Sequence, residues 1–300
     1  VSAIICYNFH ANPLLSLIRY GKINKIAIIA DCTEWHTVNH LNLFKRVIKH
    51  YDITKRIKYA QYKCNGIIAI SHYFKEMYQE STKVIVVPPL VDIRDKKWNN
   101  DLKKVIESDS KRFVYAGKMG IGKDYLGVCL ESFGRFVESR FIIDIVGVTR
   151  NEYLNKNPSH ARLLERLGAK VNFYGILSHE ETLKYVKRSH FSLLIRKRNR
   201  KNDTGFPTKF GESITCGTPV IATDFSDVRQ YIEKHQLGII IGTVDDIDYG
   251  LEKALSMNNA ELEKLVKNCL NFASLDYRNY TDTLGNFIEQ IFTEVSTKNI

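Results

Sequence analysis

The chain has 300 residues, enough for one large domain or two ordinary ones with real cores. Its composition is 44% hydrophobic and 26% charged, with only 17 glycines and 6 prolines, which excludes a disordered, collagen-like or disulfide-scaffold protein. The net charge of +11 gathers in the first third, where residues 1–97 hold 15 Lys and Arg against 7 Asp and Glu.

The chain opens at Val1, with no basic-then-apolar leader, and its first residues, SAIICY, already read as a buried strand. The sequence therefore reads as starting inside a domain. Short apolar runs rich in Ile and Val alternate with helical patterns from there on, which predicts parallel α/β architecture. In the first stretch the predicted strands are 2–7, 25–30, 66–71 and 83–87, with helices near 13–20, 40–62 and 72–80. PPLVDIRDKKWNNDLKKV follows, and its two prolines and many charges mark the best linker. The second series has strands near 112–116, 141–146, 171–174, 191–195, 219–223 and 238–241, a complete Rossmann-like unit. Helices close the chain, the last near 281–296. The predicted division is 1–97, 98–280 and a closing segment 281–300 that packs back on the first domain.

No apolar run approaches the roughly 18 residues of a spanning helix. The six cysteines, Cys6, Cys32, Cys64, Cys129, Cys216 and Cys269, lie far apart and read as reduced core residues of a cytoplasmic protein. Residues 41–63 form a basic amphipathic helix: seven cations, from Lys45 to Lys63, face one acid, Asp52, while Leu41, Phe44, Ile48 and Tyr51 recur at helical spacing. Nucleic acid or an anionic membrane surface could use it, and so could plain solvent. Concentration of the charge on one helix favours the membrane over nucleic acid.

Two stretches carry the chemistry. FVYAGKMGIGKD runs from a strand through a glycine turn to a helix start. Gly117, four residues, Gly122 and Lys123 fit a phosphate-cradling loop, but Asp124 stands where such a loop needs Ser or Thr for magnesium. Glycines still let the backbone approach a phosphate, and Lys118 and Lys123 add cations, so the turn reads as a diphosphate site. The second stretch, TGFPTKFGESITCGTPVIAT, places Thr208 at a helix start and Glu212 one turn later. An acid there can accept two hydrogen bonds from a ribose diol, and Lys209 would face the same crevice. Asp246 to Asp248 spells a D-x-D, but it opens a helix, so N-capping is the better reading. The histidines show no paired zinc spacing.

Together with VVPPLVD, IVG at 145–147 and VNFYGILSHEE at 171–181, these stretches resemble the family-4 glycosyltransferases of the GT-B fold. The resemblance implies α/β architecture with two Rossmann-like domains facing across a cleft, the first of them incomplete because the family's glycine-rich loop and first strands are missing. It implies a retaining, metal-independent hexosyltransferase with no cofactor, whose donor is a nucleotide-sugar, UDP-linked above others. The acceptor would be a glycan or lipid-linked sugar in bacterial surface polysaccharide synthesis, on the cytoplasmic face of the plasma membrane. The alternative is a non-catalytic nucleotide-sugar-binding module or an inactive fragment. Gly117, Lys118 and Lys123 take the places on the donor diphosphate, Glu212 that on the ribose, and the backbone near Tyr174, Gly175 and Ile176 that on the base.

One departure stands out. The family's first Glu belongs eight residues before Glu212, where this chain has Thr204 beside Asp203. Either Thr204 substitutes for it at the sugar, or Asp203 and Arg196 reorganise the site. ADCTEWHTVNH resembles the segment that presents a polar group to the transferred sugar, with Asp31, Glu34 and His36 as candidates.

Overall fold

The computed structural model describes residues 2–36, 42–99, 110–118 and 125–297. The chain divides into two units. The first joins Val1–Leu90 to two later pieces, Asn199–Phe206 and Asp276–Ile300, and the second comprises Val91–Arg198 and Pro207–Leu275. The segment 199–206 is a return that nothing in the sequence pattern delimits.

In the first unit, β1 (Ala3–Tyr7), β2 (Ala27–Cys32), β3 (Gly66–Ala69) and β4 (Lys83–Val86) pair in parallel, in the order β1-β2-β3-β4. Ala27 to Ala30 are all buried, as expected for a strand covered on both faces rather than one. On one face lie α1 (Ala11–Asn24), the tail of α2 (Leu43–Lys55) with the turns after it, and α3 (His72–Tyr78). Leu14, Ile57, Phe74 and Tyr78 fill this layer against Ile28 and Ile67. On the other face the C-terminal helix, Arg278–Thr297, lays Phe287 and Ile291 on Ala27, Ile29 and Ile68. The predicted β2 begins two residues early. Lys25 takes a left-handed conformation (φ 56°) and donates its N–H to the Gly21 carbonyl, so it closes α1 and cannot start the strand.

The second unit has six parallel strands: β5 (Lys111–Ala116), β6 (Phe141–Val146), β7 (Val171–Phe173), β8 (Phe191–Leu194), β9 (Val220–Thr223) and β10 (Gly238–Ile241). Their spatial order is β10-β9-β8-β5-β6-β7. The chain winds outward from β5 to β7, then jumps back across β5 to β8 and winds the other way. That is the doubly wound Rossmann order, and it leaves a crevice at the carboxyl ends of β5 and β8, where the winding reverses. In the core Phe113 meets Phe133 edge to face, with ring centres 4.9 Å apart, and stacks on Phe191 at 5.9 Å. Thr243 and Asp246 form a capping box, and Asp248 is paired with Arg135 at 2.6 Å, so both acids of the D-x-D serve the helix start and its neighbour.

Candidate nucleotide site in the second unit

Where β5, β6 and β7 end, three glycines turn the chain. Gly117, Gly147 and Gly175 have φ of 151°, 98° and 65°, a region L side chains rarely adopt. The turns are stitched together: Gly117 N–H donates to the Val146 carbonyl (2.8 Å), Gly147 N–H to Gly175 (2.6 Å) and Gly175 N–H to Val148 (3.1 Å). A Cβ on Gly147 would lie 2.7 Å from the carbonyl carbon and oxygen of Gly117, so glycine here is what lets the first two turns touch.

Cations converge on the same edge. Lys118 follows Gly117 and is exposed. Lys209, from the start of α9 (Thr208–Thr215), brings its ammonium against Gly117, where a side chain would collide with it, and lies 5.0 Å from the Tyr115 ring centre. Between the first two turns and α5 (Arg150–Lys156) lies a pocket of about 380 Å³, lined by Lys118, Gly147, Val148, Glu152, Asn155, Lys156 and Ile176. Its wall from α5 was invisible in the sequence, because nothing in RNEYLNK marks it as anything but a surface helix. Ile176 is 67% exposed there, an apolar surface left open toward the pocket. Glu152 is engaged through its Oε2. It accepts from the Thr149 N–H and hydroxyl, and those bonds hold its carboxyl below the usual range.

Glu212 stands on the outward side of α9, whose inward residues Phe210, Gly211, Ser213 and Ile214 are buried. Its carboxylate lies 3.2 Å from Nε2 of His179, the first residue of α7 (His179–Lys187). This partner was missed, since SHEE reads simply as a capping box, which Ser178 and Glu181 do form. Thr208 is exposed at the first position of α9. Tyr174 contributes backbone to the turn, but its hydroxyl points elsewhere, donating to Asp144 (3.1 Å) and accepting from Arg188 (3.2 Å). Arg196, just beyond β8, exchanges two bonds with the Thr223 hydroxyl, at 2.8 and 2.6 Å. Lys123 lies outside the described residues.

The remaining candidates belong to the first unit. Thr204 is fully buried, its hydroxyl donating to the Arg200 carbonyl (2.8 Å) and accepting from Trp35 N–H (3.1 Å), while Ser71 donates to its carbonyl (2.8 Å). Its hydrogen-bonding capacity goes to holding 199–206 in place. Asp203 sits one residue earlier in the short helix α8 (Arg200–Thr204). Burial raises the Asp31 carboxyl at the end of β2, and His36 lies 3.5 Å from Glu34. Among the described residues no group of three or more His, Cys, Asp or Glu could hold a metal ion.

Comparison with known proteins adds three observations. The family model described as "Glycosyl transferases group 1" matches residues 96–271, nearly the whole second unit. No curated protein sequence matches the chain. Solved structures do resemble it. Sucrose-phosphate synthase from Thermosynechococcus elongatus superposes with a TM-score of 0.71 at 14% identity, over 97% of this chain and 74% of that one. HepE from Anabaena, in complex with UDP, gives 0.67 at 12%, over 95% and 78%. The lipopolysaccharide outer core galactosyltransferase WaaB gives 0.64 at 17%, over 95% and 75%. At such identities the likeness shows the fold, which is the α/β GT-B arrangement of two Rossmann-like sheets.

Proposed function

Because the chain belongs to the group 1 glycosyl transferases, we propose that it moves a sugar from a nucleoside diphosphate to an acceptor hydroxyl, with UDP as the carrier and retention at the anomeric carbon. The observation that carries this reading is the meeting of Gly117, Lys118 and Lys209 at the carboxyl ends of β5 and β8, where a doubly wound sheet leaves room for a ligand. HepE, which shares the fold, has been seen with UDP and with UDP-glucose, and this supports the choice of carrier.

The parts then have distinct work. Lys118 and Lys209 face the diphosphate beside the Gly117 turn, the pocket beside Ile176 takes the base, and Glu212 exchanges His179 for the ribose diol. As the bond from the anomeric carbon to the diphosphate oxygen breaks, that oxygen takes the electron pair and Lys118 balances its charge. The acceptor oxygen forms the new bond, and its proton passes to the departing phosphate. Lys123 joins Lys118 in this reading. We assign Thr208 and Arg196 to the rim of the donor site; Asp31, Glu34 and His36 belong to the first unit. Thr204 is not given the role of the family's first Glu, since it is buried among protein partners, which leaves Asp203 as the candidate. The setting we propose is assembly of a glycan or lipid-linked surface polysaccharide on the cytoplasmic side of a membrane.

The ribose role has a direct check. Glu212→Ala is expected to weaken UDP binding in calorimetry by about 1–3 kcal/mol, the range for hydrogen bonds to a charged group. Unchanged affinity removes Glu212 from the site. UDP release from UDP-glucose separates a transferase from a module that only binds: binding without any release favours the module.

A further inference from the structure

The helix α2 is built in two halves. From Asp52 onward it is held: the Asp52 carboxylate accepts from Ala11 N–H (2.9 Å) and lies 2.7 Å from His10, Lys55 reaches Asn12 (3.0 Å), and Ile53 and Ile57 are buried. Before Asp52 none of the described residues covers it. Every residue from 42 to 51 is exposed, about two and a half helical turns. These turns are not polar. Leu43, Phe44, Val47, Ile48 and Tyr51 are between 55% and 77% exposed.

At about 100° per residue those five side chains fall within an arc of about 140°. Lys45, Arg46, Lys49 and His50 occupy the other side, and no acid lies between 42 and 51. The one acid of α2, Asp52, is spent on the start of α1. An apolar stripe this complete is normally the inward face of a helix, and here, among the described residues, it is left exposed. Short helices gain most of their stability from packing such a face, so a covering surface is called for.

We infer that the first half of α2 docks on an anionic lipid bilayer, lying in the plane of the interface. The charge pattern selects this occupant. Nucleic acid would meet the cations but bury none of the stripe. A second copy of the chain would cover the stripe but bring equal positive charge against it. An anionic bilayer satisfies both faces: the stripe enters the head-group boundary while the long Lys and Arg side chains bend back to phosphates. The association is peripheral, since no described helix is long and apolar enough to cross a membrane. This inference rests on the exposed helix alone and stands apart from the sugar-transfer reading.

The test is co-sedimentation of the full chain with vesicles of phosphatidylcholine alone, and with about one part in four phosphatidylglycerol. Binding is expected only to the anionic vesicles and should fade as salt is raised. Each cation contributes about fivefold to partitioning, the equivalent of about 1 kcal/mol, so Lys45→Glu/Arg46→Glu/Lys49→Glu should lower it at least about 100-fold. Leu43→Ser/Phe44→Ser/Ile48→Ser should also abolish sedimentation while leaving all the charges. Both sets lie on exposed positions, so thermal unfolding of the variants should match the parent. Binding that ignores lipid charge overturns the proposal. So does serine-variant binding equal to the parent's, dimerisation lost in the serine variant, or RNA binding in place of lipid binding.

Discussion

Asp144→Ala is expected to destabilise the second unit by about 3 kcal/mol, the low end for breaking a buried ion pair. The side chain is wholly buried in β6, yet it is the acceptor for Arg112 (2.9 Å), two nitrogens of Arg188 (2.8 and 3.2 Å), Asn172 (3.3 Å) and Tyr174 (3.1 Å). Removing it strands two guanidiniums and two neutral donors at once. Both arginines keep some contact with water, which is why the low end applies. For a unit of this size the loss corresponds to a fall in melting temperature of about 6–12 °C by calorimetry. A second effect follows from Tyr174, which carries the backbone of the Gly175 turn. With its hydroxyl released, nucleotide affinity should fall as well. A melting temperature within a degree or two of the parent's would show that the cluster is dispensable.

Lys118→Ala should reduce donor turnover by about 10²–10³-fold while weakening UDP binding far less. The asymmetry follows from where charge develops. On the proposed mechanism the negative charge on the leaving oxygen grows as its bond to the anomeric carbon breaks, so a cation beside it acts more on the transition state than on the bound ground state. Lys118 is exposed at the pocket, and excluding water around it over a bound donor would strengthen its field. The readout is kcat for UDP release beside the Kd for UDP, with Lys118→Arg as the conservative comparison. Equal losses in both constants would reduce Lys118 to a ground-state contact.

All ten described strands were legible in the sequence, within two residues of their observed starts and ends, because their Ile and Val runs fit a sheet covered on both faces. What the pattern could not supply was long-range placement. Periodicity marks Leu41, Phe44, Ile48 and Tyr51 as an apolar stripe, but it cannot say whether the stripe faces a core; Leu41 lies outside the described residues, and Phe44, Ile48 and Tyr51 are exposed. Thr204 aligned with a sugar-binding position, yet burial and a carbonyl one turn back claim its hydroxyl. Lys209 and Gly117 meet across some ninety residues, a contact fixed by the strand order and not by any local signal. The turn at Gly117 was legible as a turn, while its interlock with Gly147 was not, since it depends on β5 and β6 being neighbours.

The central claim is that the carboxyl ends of β5, β6 and β8 form a site for the nucleoside diphosphate of a sugar donor. Thermal unfolding of the full chain with UDP, UDP-glucose and an unrelated nucleotide such as AMP tests it most directly. A ligand bound only by the folded state adds about 2.7 kcal/mol of stability at a hundred times its Kd. The account predicts a concentration-dependent rise in Tm with UDP and UDP-glucose, little or none with AMP, and loss of that rise in Gly147→Ala, where the new Cβ forces the first two turns apart. No rise with either UDP ligand, or a rise that Gly147→Ala leaves intact, would contradict it.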